Sequence, residues 1–230
     1  MNTCVTCTSV IYCDGTAQTT AAKTPSTACV FTSTGTWTVP AGVYKVKVTV
    51  TGGGSAGDYN SACSMQGGGG SGGTAVKWYS VTPGCAACVI IGAGGTWSFK
   101  YYDFSYGYTC GGATSGGISC FCYLGTTVCG TGGTPYKCWG FASGSSPSTI
   151  GNSSASGIGV GGDYMLAGET AWCSTGTNGN ASAVGNGAQV CGLCQCPYFG
   201  QFMFVCAAAG RGGGGAQGAA GGSGQVIIEY

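Results

Sequence analysis

The sequence predicts an all-β protein, an antiparallel sandwich or jelly-roll-like domain with long glycine-rich, cysteine-stapled loops. Three observations predict it. Short runs of β-branched and aromatic residues alternate with period two, as half-buried strands do. No stretch repeats its apolar residues at helical spacing between caps. Glycine, 49 of the 230 residues, interrupts the chain after each run, so the rhythm is a short β segment and then a glycine loop.

Residues 1–28 differ from the rest. They hold Cys4, Cys7 and Cys13, a single glycine and a Thr/Ala-rich tract from Thr16 to Thr27. They read as a small attachment segment ending near Pro25, ahead of a glycine-rich β domain at 29–230. The series Cys4, Cys7, Cys13 and Cys29 suits either a pair of disulfides or a four-thiolate zinc site. Disulfides are the expectation, and no metal is assigned.

Cys29 to Gly54 reads as a hairpin. β-formers through Val39 run into Pro40-Ala41-Gly42, a proline-glycine turn. Beyond it Tyr44, Val46, Val48 and Val50 share one face, with Lys45, Lys47 and Thr49 on the other. Residues 55–73 read as a loop. Thr74 to Val81 is the next strand, with Val76, Trp78 and Ser80 on one face. Pro83-Gly84 turns the chain into a strand from Cys85 to Ile91. The Cys85-x2-Cys88 spacing lies inside that strand, where a redox pair would need the start of a helix.

Residues 96–150 alternate aromatic clusters with Cys and Gly. Trp97 to Tyr101 reads as a short strand and the remainder as irregular loops stapled by sulfur. Phe121, Tyr123, Tyr136 and Trp139 suit core and contact surface equally. Residues 151–190 are polar and glycine-rich. Apolar content returns from Gln189 to Val205, beside Cys191, Cys194 and Cys196. Gln225 to Tyr230 is a closing strand that fixes the terminus in a sheet.

Composition excludes several functions. Charged residues are 6% of the chain against a usual ~25%, and the net charge is +1. Such a chain offers no field for nucleic acid or an anionic membrane. No run approaches the length of a membrane-spanning helix. Without histidine, Ser-His and Cys-His catalysis is excluded. The glycine runs lack the GK[ST] and following helix of a phosphate loop. Asp163 and Glu169 are the nearest approach to the paired carboxylates that sugar cleavage needs, and they read as ordinary loop carboxylates. The protein is expected not to be an enzyme and to carry no cofactor.

Seventeen cysteines imply an oxidising setting. The odd number leaves at least one sulfur free, metal-bound or bridging to another chain. The opening MNTCVTCTSVIYCDGT does not read as a signal peptide. A chain made in a reducing cytosol and released by lysis reconciles the two. The aromatic payload (thirteen Tyr, eight Phe and five Trp) argues for a folded chain despite the glycine. Strips of glycine can also pack backbone against backbone as extended, polyproline-II-like strands.

FTSTGTWTVPAGVYKVKVTVTGGGSAG (31–57) resembles the opening of the glycine-rich domain in tail-fibre and adhesin proteins of tailed bacteriophages. GGGGSGGTAVKWYSVTPGCAACVIIGAGGT (67–96), GVGGDYMLAGET (159–170) and GAAGGSGQVIIEY (218–230) are similar to later pieces of that domain and follow in its order. The cysteine content departs from the family's habit, as does the lack of a repetitive shaft.

The resemblance implies a virion protein that attaches the particle to the host cell surface. It would be a trimer of identical copies, meeting other virion proteins and a host glycan or outer-membrane protein. Loop aromatics would make the contacts: Tyr101, Tyr102, Tyr106, Trp139, Tyr164 and Trp172. Cys4, Cys7, Cys13, Cys29, Cys85, Cys88, Cys191, Cys194 and Cys196 are assigned structural roles. A self-assembling extracellular filament, coat or capsid-decoration subunit is the alternative.

Overall fold

A computed structural model of the chain describes residues 10–11, 17–18, 27–57, 66–103, 108–135, 156–169, 173–174, 189–196, 200–207, 209–215 and 219–230. Among these residues every regular element is a strand. The first six are β1 (Val10–Ile11), β2 (Ala17–Gln18), β3 (Ala28–Phe31), β4 (Gly35–Thr38), β5 (Lys45–Thr51) and β6 (Gln66–Gly67). The next six are β7 (Thr74–Ser80), β8 (Ala86–Ile90), β9 (Trp97–Asp103), β10 (Tyr108–Ala113), β11 (Ser119–Tyr123) and β12 (Thr126–Gly130). The last six are β13 (Gly159–Val160), β14 (Tyr164–Leu166), β15 (Cys173–Ser174), β16 (Gln189–Cys196), β17 (Gly200–Ala207) and β18 (Gln225–Glu229). The segment boundary read near Pro25 lies outside the described residues.

Two five-stranded antiparallel sheets form the body, in the orders β14-β7-β5-β18-β3 and β13-β12-β11-β8-β4. Alternation along each strand decides which face is buried. The first sheet contributes Val46, Val48, Val50, Ala75, Tyr79, Val226 and Ile228 to the core. The second contributes Trp37, Ala87, Val89, Phe121, Tyr123 and Val128 to the same cluster. The sheets therefore pack face to face as a sandwich. Phe121 is wholly buried, its ring 5.2 Å from that of Tyr79 and 6.4 Å from that of Trp37. Burying a side chain of this kind contributes roughly 1.5–3 kcal/mol.

The strands on either side of Pro40-Ala41-Gly42 do not form a hairpin. β4 pairs with β8, Trp37 opposite Ala87, whereas β5 lies between β7 and β18 in the other sheet. The turn is tight: Val43 N–H donates to the Pro40 carbonyl at 3.2 Å and Gly42 has φ 79°. It carries the chain from one layer to the other. Alternation shows which face of a strand is buried but not which strand lies beside it, and here both apolar faces meet across the core. Tyr44 precedes the pairing and is 68% exposed instead of joining the valines. Val76, Trp78 and Ser80 do share a face, the outer one, while Ala75 and Tyr79 point into the core.

The region read as irregular loops contains the β11–β12 hairpin, whose Phe121 and Tyr123 are core. Tyr136 and Trp139 lie outside the described residues. The closing strand is found as expected. It sits inside the first sheet between β5 and β3, with Val226 and Ile228 buried.

Beyond one end of the sandwich the strands continue as glycine chains. β5 runs into 52–57, β8 into 92–95 and β12 into 131–133, while 69–73 leads into β7, 114–117 into β11 and 219–224 into β18. The central chain, 52–57, donates in three directions in turn. Gly52 and Ser55 donate to Gly73 and Gly70 at 3.0 and 2.9 Å. Gly53 and Ala56 donate to Gly117 and Thr114 at 2.9 and 3.1 Å. Gly54 and Gly57 donate to Gly222 and Ala219 at 2.9 and 3.0 Å. A partner that recurs every third residue means three residues per turn, the polyproline-II period, in which no backbone group bonds within its own chain.

The carbonyls complete the ring of neighbours. Gly53, Gly54 and Ser55 accept from Gly133, Gly95 and Gly215 at 2.9, 2.8 and 2.8 Å. The central chain is thus enclosed by glycine chains on all sides. The packing open to glycine strips takes the form of a hydrogen-bonded lattice here. At its glycine positions a side chain has no room: a Cβ on Gly54 would stand on the Gly213 carbonyl oxygen, and one on Gly116 on that of Gly53. Neither glycine has a left-handed φ, so space and not torsion demands glycine here.

Candidate attachment surface

The lattice gives the molecule a polarity. At the sandwich end the connections are short: 39–44, 81–85, 124–125 and 161–163. Thr27 and Tyr230 also exchange backbone hydrogen bonds there, at 3.3 and 3.1 Å. Away from the sandwich the described glycine chains lead, along the sequence, into or out of 58–68, 97–113, 134–155, 170–211 and 216–218. These five segments hold most of the aromatic residues outside the core, and they hold Cys63, Cys110, Cys138, Cys173, Cys191, Cys194, Cys196 and Cys206.

Two of the expected contact residues lie on this end. β9 and β10 extend the paired chains 92–96 and 114–117 as an antiparallel hairpin, with Tyr102 opposite Thr109 and Tyr101 opposite Cys110. A β-bulge follows at Cys110/Gly111; bulges re-aim a strand and its side chains. Thr96 and Thr114 clamp the base of the hairpin, Thr114 N–H donating to the Thr96 carbonyl at 2.9 Å and Thr96 N–H to Thr114 Oγ1 at 2.8 Å. Cys191, Cys194 and Cys196 lie on β16, which pairs with β17, Cys194 being the register partner of Phe202 and Cys196 that of Gly200. Tyr106, Trp139 and Trp172, together with Cys4, Cys7 and Cys13, lie outside the described residues.

Tyr164 is elsewhere. It sits on β14 at the edge of the sandwich, 63% exposed, its ring edge-on to Trp78 at 5.7 Å. The neighbouring Asp163 accepts from Trp78 N–H at 2.9 Å and lies 3.7 Å from Lys77 Nζ. Glu169 is held apart from Asp163, its N–H donating to Ser71 Oγ at 2.7 Å within the lattice. The two carboxylates weighed for sugar cleavage therefore belong to separate structural units. Ile158, Val160, Met165 and Leu166 are exposed on the same edge. The sequence reading missed this apolar edge, though MetLeu beside Tyr164 in a polar, glycine-rich tract was its signal.

The cysteines also sort differently from the expectation. Cys120 and Cys129, opposite each other on β11 and β12, form a disulfide with Cα atoms 4.2 Å apart. Neither had been assigned a structural role, and the bond staples a hairpin of the sandwich. Their symmetry about Leu124-Gly125 was the available signal. Cys29, Cys85 and Cys88 are free thiols instead. Cys29 Sγ lies 3.5 Å from Tyr230 OH, and this hydrogen bond is the main cause that raises the tyrosine's pKa. Cys85 packs against the core while Cys88 faces outward. Strand alternation thus places the two thiols of the CxxC spacing on opposite faces.

No protein-family model matches the chain, and no curated protein sequence matches it.

Proposed function

We propose that the protein is a virion structural protein, a tail-fibre or adhesin subunit that attaches a phage to its host cell surface. The observation that carries the reading is the polarity of the lattice. The described glycine chains, held by backbone hydrogen bonds, all lead beyond one end of the sandwich into the long, aromatic-rich stretches of the sequence, and Thr27 and Tyr230 lie at the other end. Tyr and Trp make large contacts at low conformational cost, and loops on a rigid scaffold are where binding residues concentrate. The sequence resemblance to phage glycine-rich domains supports the same assignment. The partners are then a host glycan or outer-membrane protein at the lattice end, and other virion proteins and copies of the chain elsewhere. The exposed edge of Ile158, Val160, Tyr164, Met165 and Leu166 suits contact between copies.

The base of the β9–β10 hairpin supplies the test. Thr96 and Thr114 are already hydrogen-bonded, so residues 97–113 can be replaced by an Asn-Gly turn. The shortened protein is expected to keep its β-sheet circular dichroism and to lose binding to host cells in a fluorescence assay. Undiminished binding by a folded variant would refute a contact role for the hairpin. Failure of the full-length protein to bind host cells or to label particles would refute the attachment reading itself.

A further inference from the structure

The outer face of the second sheet carries a second pair of cysteines that sit opposite each other and are not bonded. Cys88 on β8 is the register partner of Cys122 on β11. Phe121 and Val89 beside them point into the core, so both thiols project outward, Cys88 exposed and Cys122 half-buried. Directly opposed residues on antiparallel strands hold their Cβ atoms about 4.5–5.5 Å apart. Cys120 and Cys129, bonded at 4.2 Å, occupy the closer kind of pair. Cys122 lies two residues along β11 and faces the neighbouring strand on the other side, so it shares the wider kind of pair with Cys88, about 5.5 Å between Cα atoms. That separation lies inside the range disulfides span. Thr127, the partner of Cys122 on β12, donates its hydroxyl to Cys122 Sγ at 3.4 Å.

We infer that Cys88 and Cys122 are a site of reversible thiol–disulfide modification, a dithiol that closes into a cross-strand disulfide by exchange with a small-molecule disulfide. The exposed Cys88 thiolate attacks one sulfur of the reagent, displacing one thiol and leaving a mixed disulfide on Cys88. Cys122 turns from Thr127, attacks the Cys88 sulfur and displaces the second thiol. Two protein thiols are oxidised and one reagent disulfide is reduced to two thiols. The closed bond ties β8 to β11, as Cys120–Cys129 ties β11 to β12, so three adjacent strands of one sheet become laced on one face. Exposure keeps this bond within reach of solution thiols, whereas Cys120 is only 8% exposed. The pair opens under reducing conditions that spare its neighbour.

The full chain equilibrated in glutathione buffers of increasing oxidised fraction, quenched with iodoacetamide and digested, reads this directly. The expected result is a Cys88–Cys122 linked peptide that grows with oxidation, with two alkylatable thiols lost together. It disappears in Cys88→Ser while the Cys120–Cys129 peptide persists. Cys88 and Cys122 both alkylated in the most oxidising buffer would overturn the inference. So would Cys88 found only as a glutathione adduct, or linked to Cys85.

Discussion

Replacing Gly54 by Ala tests the claim that space in the lattice, and not backbone torsion, selects glycine. The added Cβ would meet the Gly213 carbonyl oxygen and carbon and the Gly214 nitrogen, all backbone atoms that no rotamer change can clear. The chains must separate, which threatens the bond from Gly54 to Gly222 at 2.9 Å and that from Gly95 to Gly54 at 2.8 Å. Overpacking costs about 1–3 kcal/mol, and each buried backbone group left without its partner adds about 1–3 kcal/mol. A loss of about 4 kcal/mol follows. For a chain of this size that lowers Tm by roughly 10 °C. Gly35→Ala is the control, because its Cβ would meet only the Phe31 ring at 3.9 Å and its φ is not left-handed. It is expected to change Tm by no more than about 2 °C. Calorimetry of both variants decides the matter. Equal melting temperatures would refute the lattice argument.

Leu124 opens the two-residue β11–β12 turn with φ 44°, followed by Gly125 at 79°, and its side chain is 74% exposed. Leu124→Asn relieves a left-handed leucine at little loss of burial and should stabilise by about 1 kcal/mol in denaturant titration. Removing the Cys120–Cys129 bond, with 9 residues of sequence separation, by a double Ser variant should cost about 2–3 kcal/mol by loop-closure entropy, measured the same way. Tyr79 OH is buried with no hydrogen-bond partner among the described residues, so Tyr79→Phe should hold or raise Tm. Burial first, then the Cys122 and Asp163 charges, push the Tyr79 phenol up to about 12. The unfolded chain loses this proton near pH 10 and the folded one later, so stability is full below pH 10 and falls as pH rises toward about 12. Tyr79→Phe should flatten that part of a Tm-against-pH curve.

The strands legible in the sequence were those whose alternation is clean and whose turns use the expected residues. β5, β8 and β18 have valine or isoleucine on the core side and β7 has Ala75 and Tyr79, and each is bounded by glycine or a Pro-Gly pair. The β11–β12 hairpin escaped because Leu stands where a type I′ turn favours Asn or Asp, and because Cys occupies the outward positions of the strand. Pairing escaped where two strands flank a turn yet belong to different layers, as β4 and β5 do. The candidate contact residues were chosen as aromatic residues in glycine-rich tracts. That criterion does not distinguish Tyr101 and Tyr102 beyond the lattice from Tyr164 on the sandwich edge. What separates them is whether the flanking glycines lie inside the lattice, a fact of hydrogen bonding that composition does not carry.

The lattice also explains how so little side-chain core supports so much chain. In the sandwich, position specificity comes from packing: Phe121 is packed between Trp37 and Tyr79. In the lattice each residue of 52–57 is fixed by one donated bond to a different neighbour, and three of its carbonyls accept from three further chains. Each such bond contributes on the order of 1 kcal/mol net and none depends on a side chain. The register is therefore set by the sandwich strands at one end and transmitted through backbone alone. Under the proposed attachment role, the residues of β9 and β10 answer chiefly to what the particle touches. Exchanging the sequence of β9–β10 for another hairpin of equal length should then alter cell binding while leaving the melting temperature within about 2 °C, consistent with surface changes that touch no core. A large fall in Tm on that exchange would show that the connections help hold the lattice together.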